Sequence, residues 1–269
     1  MKNKSGIFLL ALVSLALSCG EGVNADLLAE YFFADGDTQP HDSHSSIPTD
    51  GLVLYYDFNG SDATDSSGNG INGQVIGRDS GGVTFPAGRK GGSDKCLQLY
   101  GDQKGWITVP HCNDLVLDSF TVNVWVYSTP ADNYGGECIV CRGDATRGGG
   151  FYLGVRSFYV GVFSRTWYTS YKEGGKDAYP STGAWHMITA HVEGNHFAAY
   201  IDGILYQEGN ATNGSFTALS SVENMYIGLY DYTGMKASEP KDPFKGMIDD
   251  LRIYNRPLTS IEIQRLFKE

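Results

Sequence analysis

The chain has 269 residues, of which 41% are apolar and 13% are aromatic, so it can enclose a substantial hydrophobic core. Its 35 glycines, against only 19% charged residues, favour a β-rich fold with many turns. The formal net charge of −11 would repel the phosphate backbone of DNA or RNA, which argues against a nucleic-acid partner.

The N-terminal segment, MKNKSGIFLLALVSLALSC, predicts a signal peptide over residues 1–18. Two lysines precede an apolar run that is too short to span a membrane. The segment resembles the bacterial lipoprotein signal, in which a cysteine after small residues is lipidated, so Cys19 is the predicted lipidation site. Ordinary cleavage near Ser18 or Ala25 is the alternative.

A lipid-anchored tether is predicted for residues 19–50, which are mostly polar apart from the patch LLAEYFF. This patch either docks on the folded domain or belongs to the tether. Together with the signal, the tether predicts an exported lipoprotein at the outer membrane or cell surface, or one that faces the periplasm. The only predicted contact with the membrane is through the N-terminal lipid.

Short runs of alternating apolar and polar residues recur from residue 51 onward, between glycine-rich turns. About twelve such runs are present, and their spacing predicts a sandwich or barrel rather than alternating strands and helices. In FTVNVWVYS, alternate residues from Phe120 to Val126 share one face and those from Thr121 to Tyr127 share the other. Since both faces carry apolar residues, this strand is predicted to be covered on both sides.

One helix is predicted, in RPLTSIEIQRLFKE at the end of the chain. Thr259 and Glu262 have the spacing of a capping box, and Leu258 is placed to pack on Ile263 as a hydrophobic staple.

Four motifs in a fixed order carry a family resemblance: GLVLYYDFNG with DSSGNGINGQVIG, then FTVNVWVYS, then AWHMITAHVEGNHFAAYIDGILY, then FKGMIDDLRIYNRPLTSIEI. Together they resemble the laminin-G-like jelly-roll domain of the concanavalin A-like lectin/glucanase superfamily, over residues 51–269. The resemblance implies an all-β fold, a two-sheet antiparallel jelly-roll sandwich with its first and last segments adjacent, here followed by a short C-terminal helix. It also implies a module that binds glycans or proteins and often holds one calcium ion.

The stretch YYDFNGSDATDSSGNG is rich in the oxygen ligands that calcium prefers. It fails as an EF-hand, because the sixth residue from Asp57 is Asp62 rather than glycine and the twelfth is Gly68 rather than glutamate. A calcium-binding β-helix repeat fails as well, because GNGINGQVI occurs once. Any metal site must therefore recruit ligands from elsewhere in the chain.

The last strand offers such a ligand, because alternation in GMIDDLRIYN puts Asp249 on the apolar face of Leu251 and Asp250 on the opposite face. The resemblance places metal ligands at Asn59, Asp65 and Asp249, with calcium as the cofactor. The alternative is that Asp65 and Asn69 form Asx turns and that Asp249 accepts backbone N–H bonds.

Four cysteines remain besides Cys19, and export makes disulfides an option. Two short predicted strands bring Cys96 near Cys112. Cys138 and Cys141 lie on a strand, where strict alternation points them to opposite faces. Buried thiols are the other option for all four.

No catalytic motif is found in the sequence. The paired carboxylates of a glycosidase strand, E-x-D-x-x-E, are missing, as are the Gly-x-Ser-x-Gly and His-Glu-x-x-His motifs. His186, which follows Trp185, is interpreted as part of the sandwich packing. The prediction is a non-catalytic protein, and an enzyme would require an arrangement that the linear sequence hides.

Aromatic residues beside arginines form the predicted ligand surface, because aromatic rings stack on sugars and guanidinium groups pair with acidic or sulfated glycans. The predicted residues of this group are Trp167, Tyr168, Tyr171, Tyr179, Arg142 and Arg165, and a second predicted group, Tyr230 and Tyr232, lies in the loop GLYDYTG before the last strand. Core packing is the alternative for these side chains, and Trp106 fits either role. The predicted function is an extracytoplasmic carbohydrate-binding lipoprotein whose partner is a glycan or glycoprotein. An adhesion or scaffold lipoprotein that binds a protein is the alternative.

Overall fold

A computed structural model of the chain describes residues 46–102, 104–129, 137–142, 151–155, 161–162, 181–210, 223–230 and 243–269. In these ranges it has fourteen strands, one short 3₁₀ turn at Asn113–Leu115 and one α-helix, α1 (Ser260–Phe267). The strands are β1 (Leu52–Tyr56), β2 (Gln74–Ile76), β3 (Val83–Thr84), β4 (Leu97–Tyr100), β5 (Trp106–Val109), β6 (Ser119–Ser128), β7 (Glu137–Arg142), β8 (Phe151–Val155), β9 (Gly161–Val162), β10 (Trp185–Glu193), β11 (His196–Ile201), β12 (Ile204–Asn210), β13 (Met225–Ile227) and β14 (Lys245–Tyr254).

Two antiparallel sheets contain these strands, as predicted. The larger has eight strands in the order β12-β11-β10-β6-β14-β4-β3, with β1 also paired to β14. The smaller has six strands in the order β2-β5-β13-β7-β8-β9. The pairing of β1 with β14, in which Tyr56 lies opposite Leu251, confirms that the first and last segments are adjacent.

Strand β6 is covered on both faces, as its sequence predicts. Val122 and Val124 belong to the main core, whereas Trp125 belongs to a second buried cluster that includes helix α1. The rings of Trp125 and Phe267 stack with their centroids 5.7 Å apart. The larger sheet is therefore buried between the main core on one face and α1 on the other.

Residues before β1 join the second cluster too. Ile47 packs against it, and the Tyr254 hydroxyl donates a hydrogen bond to the Pro48 carbonyl at 3.0 Å. The predicted signal, Cys19 and residues 19–45 of the tether lie outside the described residues. In the part that is described, no helix has the length and apolarity that a membrane span requires.

The structure bears on two predictions about the cysteines. Cys96 and Cys112 are free thiols and form no disulfide with each other. The opposite-face prediction for Cys138 and Cys141 is wrong, because a bulge between Cys138 and Val140 interrupts the alternation. Cys138 then lies opposite Gly154 and Cys141 opposite Tyr152, and residues two apart on β8 share one face.

The helix begins with the predicted capping box. The Thr259 hydroxyl accepts a hydrogen bond from the Glu262 N–H, and the Glu262 carboxylate accepts one from the Thr259 N–H. Arg256 donates two further hydrogen bonds to this carboxylate, at 2.6 and 2.9 Å. The hydrogen bonds from Arg256, and then those from Thr259, lower the pKa of Glu262 to about 2.

Glu262→Ala should lower the free energy of unfolding by about 0.5–2 kcal/mol at neutral pH, because it removes the cap. The folded-state pKa lies below the ordinary value of 4.5, so this stability is present above about pH 4.5 and is lost as the pH falls toward 2. Urea denaturation of both proteins at pH 7 and pH 3 measures the difference. An undiminished difference at pH 3 would show that the charge of Glu262 is not what stabilises the helix start.

Candidate functional site

The Asp65 carboxylate organises the loop after β1. Its Oδ1 accepts hydrogen bonds from the N–H groups of Tyr55 and Ser67, at 3.0 and 2.9 Å. Its Oδ2 accepts from the Ile71 N–H at 3.0 Å and the Ser67 hydroxyl at 2.8 Å. A carboxylate has about four lone-pair sites, so protein donors occupy all of them and none is left for a metal. This geometry matches the Asx-turn alternative.

Asn69 and Asn59 complete the same loop. Asn69 donates from its amide to the carbonyls of Leu52 and Val53, at 3.1 and 2.9 Å, and so ties the loop to β1. The Asn59 amide oxygen accepts from the Lys95 N–H at 3.0 Å, which ties the loop to the segment before β4. The amide oxygen of Asn59 keeps one lone pair for another partner.

Asp249 is fully buried but lies on the face opposite to the one predicted. It stands across from Trp125, and Ile248 stands across from Val126 in the main core. Directly opposed residues share a face, so Asp249 is on the face that α1 covers. The cause is a bulge between Asp249 and Arg252, which shifts the alternation that places Leu251 in the core.

The environment of Asp249 disfavours its charge. Burial, and then repulsion from Asp250, raise its pKa to about 7. Among the residues that the structure describes, two hydrogen bonds oppose this effect, from the N–H of Asp250 at 2.9 Å and the N–H of Arg89 at 3.2 Å. A cation bound next to Asp249 would therefore favour the ionised form of its carboxylate.

A second carboxylate, from Asp94, meets Asp249 beside Gly88. The point where a Cβ atom of residue 88 would stand is 2.4 Å from Asp94 Oδ2 and 2.9 Å from Asp249 Oδ2. Sequence reasoning missed Asp94, although the glycine-rich turn GRKGGSD just before β4 was its signal. Among the described residues no group of three or more histidine, cysteine or acidic side chains is arranged to hold a metal. The residues thus fit a calcium ion in part, because the carboxylates of Asp94 and Asp249 converge on one small space. The carboxylate of Asp65 does not take part.

Asp250 is the centre of a buried charge network. The bulge gives it a positive φ of 47°, and its carboxylate accepts hydrogen bonds from Tyr55 at 2.5 Å and Arg89 at 2.7 Å. Lys90 and Arg252 form ion pairs with it at 3.0 and 3.4 Å. Burial alone would raise the pKa of Asp250, but Arg252 and then Tyr55 hold it below its ordinary value.

The same network fastens the end of the chain to the sheet. Glu269 accepts from Lys90 and Arg252, each at 2.8 Å. The Arg89 guanidinium lies 4.1 Å from the centroid of the Trp125 ring. Because Phe267 stacks on that ring, the network and helix α1 form one structural unit.

Two predicted ligand residues are buried, which corrects their assignment. Arg142 stands opposite Met225 on the core face of the smaller sheet, is 1% exposed, and has its guanidinium 3.1 Å from His111 Nδ1. Tyr230 is 1% exposed, and its ring meets that of Tyr152 edge to face at 5.2 Å. Neither side chain is presented to a ligand at the surface.

The other predicted ligand residues lie outside the described residues and stay predictions. They are Arg165, Trp167, Tyr168, Tyr171, Tyr179 and Tyr232.

The outer face of the smaller sheet carries a mixed aromatic and polar surface where β2, β5 and β13 cross it, next to a buried cluster on β7 and β8. Gln74, Thr108 and Tyr226 form a row across β2, β5 and β13, in which Gln74 is exposed and the other two are half-buried. Trp106, two residues before Thr108 and also half-buried, donates from Nε1 to the Thr108 hydroxyl at 3.0 Å. We call these four residues the outer-face platform. The sequence allowed either core packing or ligand binding for Trp106 and did not identify the other three residues. Their signal was that they alternate along their strands with buried or half-buried residues.

Comparison with known proteins agrees with the two-sheet architecture. Domain 4 of AbnA, a GH43 extracellular arabinanase from Geobacillus stearothermophilus, solved in complex with arabinotriose, superposes with a TM-score of 0.57 at 22% identity, over 80% of this chain and 97% of that one. The binding domain of botulinum neurotoxin DC in complex with SialylT gives a TM-score of 0.57 at 17% identity, over 83% of this chain.

The same toxin domain in complex with rat synaptotagmin II gives a TM-score of 0.56 at 18% identity. The chain spans 52% of the length of both toxin structures. At these identities the likeness shows the fold alone. A comparison with curated protein sequences gave no match.

A family profile described as the concanavalin A-like lectin/glucanases superfamily matches residues 101–264. The matched residues run from the turn before β5 into α1 and so include most of both sheets. Because they make up more than half of the chain, the protein belongs to the concanavalin A-like lectin/glucanases superfamily.

Proposed function

We propose that the domain is a lectin-like module that binds a glycan without cleaving its glycosidic bonds, carried by an exported lipoprotein anchored through Cys19. The outer-face platform is the observation that carries the proposal. Sugar rings bind where an aromatic side chain offers a flat apolar surface and neighbouring polar groups reach the hydroxyls. Trp106 and Tyr226 supply the first, and Gln74 and Thr108 supply the second.

The hydrogen bond from Trp106 to Thr108 adds to this argument. It fixes the orientation of the indole before any ligand arrives, and a preorganised side chain loses less entropy on binding. Fold neighbours also bind carbohydrate, since the arabinanase domain holds arabinotriose and the toxin domain holds SialylT.

Affinity screening of the full chain against a panel of neutral, acidic and sulfated polysaccharides tests the proposal. Retention by at least one neutral or acidic polysaccharide, weakened in Trp106→Ala, is the expected result. Retention by sulfated polysaccharides alone, unchanged in Trp106→Ala, would instead favour the arginine-rich segment that contains Arg165 and Trp167. Failure of every polysaccharide in the panel would count against glycan binding.

A protein partner is the second candidate. Edge strand β12 begins with Ile204, which is 70% exposed, and Leu205, which is 39% exposed, and an exposed apolar edge is a docking feature for another chain. One fold neighbour was solved in complex with a protein, rat synaptotagmin II. If Ile204→Lys abolished the activity of the protein in a cell-adhesion assay while polysaccharide binding stayed intact, this second function would be supported.

We also propose that a structural calcium ion is held by Asp249 and Asp94, with Asn59 nearby. The ion would supply positive charge between two carboxylates that otherwise repel each other. Its remaining ligands would be backbone carbonyls and water, because calcium takes six to eight oxygens.

Calcium at a hundredfold excess over its dissociation constant should stabilise the protein by about 2.7 kcal/mol, which raises the melting temperature. The response should vanish in Asp249→Asn and Asp94→Asn. It should persist in Asp65→Asn, whose carboxylate is committed to the loop, even though that variant starts from a lower melting temperature. An identical melting temperature in calcium and in chelator would contradict the proposal.

A further inference from the structure

Three side chains at the rim where β10 begins form a hydrogen-bonded relay that the proposed function does not use. The Ser181 hydroxyl lies 2.8 Å from His186 Nε2, and His186 Nδ1 lies 2.7 Å from Asp202 Oδ2. Ser181 is exposed, while the side chains of His186 and Asp202 are 18% and 29% exposed. Ser181 is thus placed as a nucleophile, His186 as its base and Asp202 as the group that orients the base.

The relay sets the histidine in the tautomer that a general base needs. An ionised carboxylate only accepts hydrogen bonds, so the proton of neutral His186 is on Nδ1 and points to Asp202. The lone pair is then on Nε2, where it accepts the proton of the Ser181 hydroxyl. This is the arrangement in which a histidine removes a proton from an attacking serine.

The hairpin turn fixes the position of Asp202. Asp202 and Gly203, with φ angles of 53° and 76°, form the two-residue connection between β11 and β12, and asparagine, aspartate and glycine favour such angles. Asp202 donates its N–H to the Met187 carbonyl at 2.8 Å, and its Oδ1 accepts the Met187 N–H at 2.9 Å. The turn is therefore held through its backbone, the carboxylate is held through Oδ1, and Oδ2 faces His186.

We propose that Ser181 is an activated nucleophile that hydrolyses short acyl esters of alcohols. Ser181 Oγ attacks the ester carbonyl carbon while His186 Nε2 takes the hydroxyl proton. The ester C–O bond then breaks, and the alcohol leaves with that proton. Water attacks the resulting acyl-serine by the same route, which releases the carboxylic acid and restores the hydroxyl. Because residues 181–183 are exposed, an ester carried on a large substrate can reach Ser181 Oγ, and the acetyl group of an acetylated sugar hydroxyl is such an ester.

Ser181, His186 and Asp202 are not part of the outer-face platform, and the hydrogen bonds of His186 give it more than the packing role predicted from the sequence. A phosphonylating reagent reacts with a serine that a neighbouring base activates, so it reports on Ser181 and His186 directly.

Labelling of the full chain by a fluorophosphonate probe, together with release of p-nitrophenol from p-nitrophenyl acetate, tests the proposal. Ser181→Ala should abolish labelling, and peptide mapping should place the label on Ser181. Thr182→Ala, which removes the neighbouring exposed hydroxyl, is the matched control and should label like the wild type.

Asp202→Asn separates a catalytic relay from a merely structural contact. Asparagine keeps the turn and can still accept the Met187 N–H, but its amide then donates to Nδ1 and moves the histidine proton to Nε2. The labelling rate should fall about a hundredfold, the scale of general-base catalysis, with the melting temperature nearly unchanged. The esterase proposal would be overturned if the wild type were labelled, and released p-nitrophenol, no faster than Ser181→Ala. The glycan proposal is tested separately, because Ser181→Ala should still bind polysaccharide.

Discussion

Replacing Asp250 with alanine should lower the free energy of unfolding by about 3–5 kcal/mol, because it removes the central carboxylate of a buried ion network and leaves Arg89 without its acidic partner, while Arg252 and Lys90 keep only Glu269. The Arg252 side chain is 2% exposed and that of Arg89 is 10% exposed, so water cannot replace the lost carboxylate. The Tyr55 hydroxyl loses its partner as well. Equilibrium urea denaturation at pH 7 measures the change.

Asp102→Ala provides the matched control for Asp250→Ala. Asp102 pairs with Lys104 at 3.3 Å, but the Lys104 side chain is 63% exposed, and surface pairs contribute about 0–1 kcal/mol. If the two variants lost similar amounts of stability, the network around Asp250 would not be what fastens the end of the chain to the sheet.

Replacing Trp106 with alanine should weaken glycan binding by about tenfold or more, since truncation of a central aromatic side chain at an interface commonly costs above 1 kcal/mol. The variant loses the stacking surface and also the donor that orders Thr108. Isothermal titration calorimetry with the best polysaccharide from the screen gives the affinity ratio directly.

Tyr100→Ala is the control for loss of an aromatic side chain. Tyr100 is 44% exposed but lies on β4 of the larger sheet, so its removal should leave the affinity unchanged. Equal losses in Tyr100→Ala and Trp106→Ala would indicate a general effect on the fold, and no loss in either would move the glycan site away from the outer-face platform.

Local patterns in the sequence predicted most of the fold. The alternation in β6 reports directly on which side chains are buried, because successive residues of a strand point to opposite faces. The capping box at Thr259 and Glu262 likewise needs only residues three positions apart. The pairing of β1 with β14 was implied by the family resemblance, since no local rule joins residues so distant in sequence.

Strand bulges account for the wrong predictions about side-chain direction. One extra residue in a strand reverses the alternation beyond it, and neither Cys138–Val140 nor Asp249–Arg252 carries a glycine or proline that would signal a bulge. The consequence at Asp249 is large, because a carboxylate predicted at the core lies instead beside Arg89 and Trp125.

The contacts that could not be predicted from the sequence join segments that are distant along the chain. Asp94 meets Asp249 only because β4 pairs with β14, and Asp202 reaches His186 only because the β11–β12 turn returns to the start of β10. Arg142 and Tyr230 are predicted at the surface because guanidinium groups and aromatic rings suit glycan recognition, yet the register of β7 places Arg142 opposite Met225 on the core face.

The central claim is that the outer-face platform binds the glycan. The most direct test is to map amide chemical shifts while the protein is titrated with a polysaccharide that it retains in the affinity screen. Binding at the outer-face platform predicts progressive shifts in β2, β5 and β13, centred on Trp106, Thr108 and Tyr226, that disappear in Trp106→Ala. Shifts confined to residues 163–180, or an unaltered pattern in Trp106→Ala, would contradict the claim that this face of the smaller sheet binds the glycan.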